Sequence, residues 1–176
     1  MTWHMITASE LNDTPVYERL FAFAGAYRNA SFLVSSQMAS DQKAFGWSDA
    51  AVALMLAAHA VELFLKVALL KRFPDIDIAR YGHRLDDLSK VYRTWFKDPD
   101  FDWDIPFTGG KYPDEMTQEE IIALRKNTPD PSIRYRYPIS KGGDEWSGLE
   151  GFEARSFLLL LDQLEKVFHR IRSQLQ

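Results

Sequence analysis

Between Val16 and Met38 apolar residues recur at steps of three and four: Val16, Leu20, Phe23, Tyr27, Ala30, Val34 and Met38. That spacing predicts one amphipathic helix, with Thr14 as N-cap, Pro15 at its first position and an end near Ser40. A second helix is expected from an N-cap at Ser48, with Trp47 and Val52 as a hydrophobic staple, to about Phe73, where Pro74 stops it. It is apolar on nearly every side, so it has to be covered on nearly every side. After a loop at 75–82, Leu85, Leu88, Tyr92 and Trp95 mark one face of a third helix. The following stretch, with Pro99, Pro106, Gly109, Gly110 and Pro113, reads as irregular. Within it a capping box from Thr117 to Glu120, with Met116 and Ile121 as its staple, opens a short helix to about Lys126. Residues 133–137 read as extended, because Pro138 disfavours helix before it. A second capping box at 147–150 is expected to open the last helix. Leu149, Phe157, Leu160, Leu161, Leu164, Val167, Phe168, Ile171 and Leu175 give that helix a broad apolar face. The sum is an all-α fold: a four- to five-helix up-and-down bundle with one irregular excursion at about 97–147, in a single domain spanning 1–176.

Composition narrows the chemistry. The chain has no cysteine, which removes disulfides and thiolate metal sites. A net charge of −4 leaves no global basic field, so nucleic acid would have to be met by a local patch. Residues 1–12 lack the basic start and apolar run of a secretory signal, and a cytoplasmic location is expected. The most apolar stretch, 50–70, is interrupted by His59, Glu62 and Lys66. It therefore reads as a buried core helix rather than a membrane span, and no membrane partner is expected.

Those three residues are the only polar ones between Ala50 and Leu70. At about 100° per residue they fall within an arc of roughly 60°, so they form one line. Glu62 and Lys66 are an i,i+4 pair in the favourable order. Buried charge is costly unless paired. The line is thus either a solvent-facing seam with an ordinary ion pair or a polar cleft between helices.

Two further features stand out. His83 follows Gly82 at the start of the third helix, where a neutral imidazole could accept a proton; capping or packing would also account for it. In the run Ile133-Arg134-Tyr135-Arg136-Tyr137-Pro138, an extended chain would point Arg134 and Arg136 one way and Tyr135 and Tyr137 the other. Such a strand can grip phosphate with one face while the tyrosines pack or stack on the other, or it can simply lie on the surface. Arg125, Lys126 and Lys141 make this the most basic region of an acidic chain.

Taken together, the run 57–66 (Ala-Ala-His-Ala-Val-Glu-Leu-Phe-Leu-Lys), the run 82–88 (Gly-His-Arg-Leu-Asp-Asp-Leu) and Arg134 to Pro138 resemble the HEPN family of helical domains over about residues 15–172. The resemblance implies a homodimeric four- to five-helix bundle. It also implies a place among metal-independent RNases, toxins of toxin–antitoxin or defence systems, and members that bind RNA or nucleotides. The family's nuclease motif, Arg and His separated by four to six residues, is absent: His83 follows Arg80 too closely, and His169 has no Arg at that distance. The expectation is therefore a binding member with ligand residues His59, Glu62, Lys66, Arg134, Arg136 and Tyr137. In the rival enzymatic reading, a metal-independent RNase, His83 is the catalytic base and Arg134 or Arg136 stabilises the transition state. In a third reading the polar row only fixes helix register or a dimer.

No cofactor and no metal are expected. Asp98, Asp100, Asp102 and Asp104 alternate with Pro99, Phe101 and Trp103, but the glycine turn and distal Glu of a calcium loop are missing. They read as an acidic loop pinned to the bundle by Phe101 and Trp103. Gly109-Gly110-Lys111-Tyr112 lacks the upstream Gly and the following Ser or Thr of a phosphate loop.

Overall fold

The computed structural model describes residues 5–41, 43–109, 116–127, 131–139, 142–143 and 151–175. Among them the fold is all-α, with no strand. In chain order the helices are α1 (Val16–Ser40), α2 (Trp47–Arg72), α3 (Leu85–Trp95), α4 (Gln118–Asn127), the single turn α5 (Pro131–Arg134) and α6 (Ala154–Gln174). A short 3-10 turn at Ala8–Leu11 precedes α1, and two more, at Ala79–Tyr81 and Pro99–Phe101, flank α3.

Helix α2 is the axis of the bundle, and α1, α3, α5 and α6 all pack on it. It is long and apolar enough to cross a membrane by length and composition, but here most of it is buried inside the fold. Its alanines Ala50, Ala53, Ala57 and Ala60 are fully or nearly fully buried. They let α1 approach closely, and α1 contributes the small residues Ala24, Ser31 and Ser35. The buried line on α1 is Ala24, Arg28, Ser31, Ser35 and Met38. This corrects the stripe expected from apolar spacing, which places Val16 and Phe23 inside; both are about half exposed. The stripe is rotated because contact between two helix backbones selects small side chains, not the most apolar ones. Ser31 settles its hydroxyl by donating to the Ala53 carbonyl at 2.7 Å.

Helix α6 closes the core with Phe157, Leu161, Leu164, Phe168 and Ile171. Phe168 stacks on Phe64 of α2 at 4.0 Å between ring centroids, and Trp103 meets both rings edge-on. Arg28 ties α1 to α6, donating to the Leu161 carbonyl at 3.0 Å and to Glu165 at 2.6 Å. The acidic loop is held as expected from its aromatics. Trp103 and Ile105 are buried, Tyr92 donates to the Phe101 carbonyl at 2.8 Å, and Arg170 donates to the carbonyls of Asp100 and Asp102.

Several boundaries differ from the sequence reading. Helix α2 begins at Trp47, and its end is closed by Asp49, which accepts from the Gly46 amide at 2.9 Å. Ser48 is therefore not the cap, and Trp47 and Val52 are too exposed to act as a tight staple. The box at Thr117 and Glu120 forms as expected, with Glu120 accepting from the Thr117 amide at 2.8 Å. On α3 the residues Leu85, Leu88 and Tyr92 are buried, whereas Trp95 is exposed and leans on Phe73. Helix α6 opens at Ala154, where Glu153 accepts from the amides of Arg155 and Ser156; the capping box expected at 147–150, with Leu149, lies outside the described residues. So do Gly110, Lys111, Tyr112 and Lys141.

The clearest correction is at 131–137, which is helical and turned rather than extended. Pro131 accepts from the Tyr135 amide at 3.0 Å, and Ile133 accepts from Arg136 at 3.1 Å and Tyr137 at 3.2 Å. Pro138 restricts only the residue directly before it, and Pro131 at the first helical position favours a turn of helix.

Phe64→Ala removes a ring with no exposed surface from the centre of the aromatic stack. The expected loss is about 3–5 kcal/mol in urea unfolding. Leu159→Ala, on the outer face of α6, should stay within about 0.5 kcal/mol of the parent.

Candidate functional site

Because α2 is covered on most sides, a carboxylate midway along it has to be met by donors from the protein. Glu62 is that carboxylate, with its side chain 2% exposed. Lys66, one turn further on, donates to its Oε1 at 2.8 Å. His59, one turn earlier, places Nδ1 3.3 Å from Oε2. His83 comes from the connection before α3 and places Nδ1 3.1 Å from both oxygens. The line drawn from helical periodicity is thus a cluster, and it gathers the separate Gly-His motif as well.

The burial gradient runs outward from Glu62. Side-chain exposure is 12% for Lys66, 19% for His59 and 53% for His83. The row is neither a wet seam nor a sealed core: its carboxylate is hidden and one imidazole looks out. Tyr27 of α1 packs edge-on against His59 at 4.6 Å, and the two imidazole centroids are 6.2 Å apart.

Lys66 also donates to the Gly82 carbonyl at 2.7 Å. Nothing in the sequence pattern announces that bond, and it explains the glycine. Gly82 has φ 53° and ψ −121°, a region glycine alone enters readily. A Cβ there would meet open space, so it is backbone conformation rather than crowding that calls for glycine. The turn aims the carbonyl at Lys66 and the next side chain at Glu62.

Burial alone would raise the Glu62 carboxyl. It is outweighed by hydrogen bonds from His59 and Lys66, the Lys66 charge and the hydrogen bond from His83, so the group is lowered from 4.5 to about 2. An ionised carboxylate only accepts, so the proton at each contact belongs to the imidazole. Glu62 thereby sets both rings as Nδ1–H and leaves the Nε2 atoms for other work. The sequence reading places His83 in the dipole of the third helix. In the fold it precedes the N-cap Arg84, and its nearest charge is Glu62.

The remaining candidates sit on α5 and the turn after it. Helix α5 packs against α2, so Arg134 lies on an element seated on the helix that carries the polar row. Arg134 is half-buried, and Arg136 and Tyr137 are exposed. The side chains of Arg125 and Lys126 lie outside what is described. A cavity of about 410 Å³ opens elsewhere, bordered by Lys71, Arg72, Trp95 and Lys97, and none of the Glu62 cluster lines it. Cavity and chemistry are in different places, and the site is assigned to the chemistry, because there three titratable side chains converge on one buried carboxylate.

As metal donors, one atom each from His59, Glu62 and His83 lie within 4.8 Å of one another. Sequence alone does not reveal this set, because His83 is distant in the chain and no metal-binding motif spans the three.

The Glu62 shift has a pH signature. Its folded value lies below its unfolded one, so its stabilisation is present above about pH 4.5 and is lost as pH falls towards about 2. At 1.36 kcal/mol per pH unit this is on the order of 3 kcal/mol. Chemical denaturation of Glu62→Gln across this range should give a flatter acid limb than the parent; an unchanged limb would contradict the assignment.

No family model, no curated protein and no solved structure matches the chain.

Proposed function

We propose that this chain is a HEPN-like homodimeric domain that binds RNA or a nucleotide, in a toxin–antitoxin or defence setting, and that His83 is the group it presents to the ligand. The observation that carries the reading is the exposed imidazole of His83 held on the buried carboxylate of Glu62. The pair ends in a ring facing out, held from behind by the buried carboxylate. Arg134 and Arg136 supply positive charge from the segment seated on the same helix. Lys66 takes a different role from the one its charge suggests. Its ammonium is committed to Glu62 and to Gly82, so it positions His83 rather than holding phosphate.

The test is filter binding of single-stranded RNA and of nucleotides at low salt. The logarithm of affinity should fall linearly with log salt, as counterion release requires. Arg134→Ala together with Arg136→Ala should weaken binding across sequences and flatten the salt slope by about one for each phosphate left without its arginine. His83→Ala should weaken it without flattening the slope. Absence of affinity at low salt would sink the reading.

The same pair favours a second reading. A carboxylate–imidazole pair in which the carboxylate engages Nδ1 and not Nε2 is the arrangement of a general base. A metal-independent RNase would cleave RNA in EDTA with loss of activity in His83→Ala, whereas RNA left intact by pure protein argues for binding alone. A purely structural role for the row predicts instead that Lys66→Met changes stability and leaves binding untouched.

A further inference from the structure

We infer that His59, Glu62 and His83 form a binding site for one first-row divalent transition ion of the Zn²⁺ class, independent of whether the chain binds RNA. Donor atoms are gathered around a single oxygen. Oε2 of Glu62 lies 3.3 Å from His59 Nδ1 and 3.1 Å from His83 Nδ1. Donors sharing a tetrahedral ion at about 2.0–2.1 Å are roughly 3.3 Å apart. Both oxygen–nitrogen separations match that spacing, and the whole set spans no more than 4.8 Å, so an ion enters with a modest inward movement of the imidazoles.

The donor types select the ion. Two imidazole nitrogens and one carboxylate oxygen suit Zn²⁺, Co²⁺ or Ni²⁺ and give Mg²⁺ or Ca²⁺ too few oxygens. Lys66 stays on the other oxygen, Oε1, and orients the carboxylate from behind, as outer-shell partners do. Each imidazole would offer its Nδ1 lone pair, the ring proton residing on Nε2. The exposed side of His83 provides the way in and room for water at the remaining positions. Two ligands, His59 and Glu62, sit one turn apart on a single rigid helix, and the third is fixed by the Gly82 turn that Lys66 holds.

The experiment is a Co²⁺ titration of the untagged, EDTA-treated protein followed by visible absorption, with calorimetry for Zn²⁺. The expected result is one ion per chain, a d–d band that Zn²⁺ abolishes, and micromolar or tighter affinity. Losing an outer-shell partner typically costs about 10–100-fold, so His59→Ala and His83→Ala should each weaken binding by at least about tenfold. His169→Ala, outside the cluster, should bind as the parent does. Circular dichroism of the metal-free variants establishes that they fold. If they do not, Zn²⁺ added to the parent should shift the NMR ring signals of His59 and His83 and leave those of His169 in place. Absence of both the band and the heat at stoichiometric ion would overturn the proposal, as would undiminished affinity in the His59→Ala, His83→Ala double variant or ring signals that do not move.

Discussion

A carboxylate placed in the middle of a helix with almost no wet surface constrains everything near it. The Born cost of burying such a charge is several kcal/mol even after relaxation. One lysine in contact roughly offsets that cost and no more, and the remaining lone pairs still require donors. Glu62 meets the requirement with its own helix, through His59 and Lys66, and with the connection ahead of α3, through His83. The second source matters most for the architecture. A loop that supplies a donor to a buried charge cannot wander, because leaving uncovers the charge. Beyond what it adds to stability, the cluster sets where the 79–84 connection lies against α2.

The opposite side of α2 has the opposite character. Phe64 follows Glu62 by two residues, a turn of about 200° around the helix. It points into the stack made by Phe168 and Trp103, while Glu62 points to the Gly82 turn. Dispersion and apolar burial on one face hold the helix firmly enough for the other face to carry a costly charge. Helix α1 reaches both faces. Its Ser31 and Ala24 line lets the backbones approach, and Tyr27 packs on His59. Positions that look merely structural, such as Ser31, therefore control how close Tyr27 comes to the cluster.

The same division decides how much is legible in the chain alone. The polar row is legible because three polar residues in an apolar helix fall on one narrow arc, and burial of charge demands partners. The all-α bundle is legible because α3 and α6 carry apolar residues at helical spacing and α2 is a long apolar run ended by Pro74. The inward face of α1 is not, since close backbone packing rewards Ser31 and Ser35, which a hydrophobicity pattern scores as outward. The Lys66–Gly82 bond is hidden for another reason: it joins a side chain to a carbonyl, and carbonyls leave no mark on the sequence beyond the glycine that turns them. The segment at 131–137 misleads because the restriction that Pro138 imposes stops at Tyr137, while Pro131 starts a turn of helix.

The uses suggested for His83 make contrary demands on one ring. Acting as a base, it needs its proton on Nδ1, facing Glu62, so that Nε2 is bare. Ligating an ion beside Oε2, it needs Nδ1 bare and its proton on Nε2. The two states cannot coexist in one molecule, and Glu62 is common to both: it accepts from the ring in the first and shares the ion in the second. Occupancy by metal would then withdraw the base. Which state the ring adopts is decided by what lies between Nδ1 and Oε2, a proton or an ion.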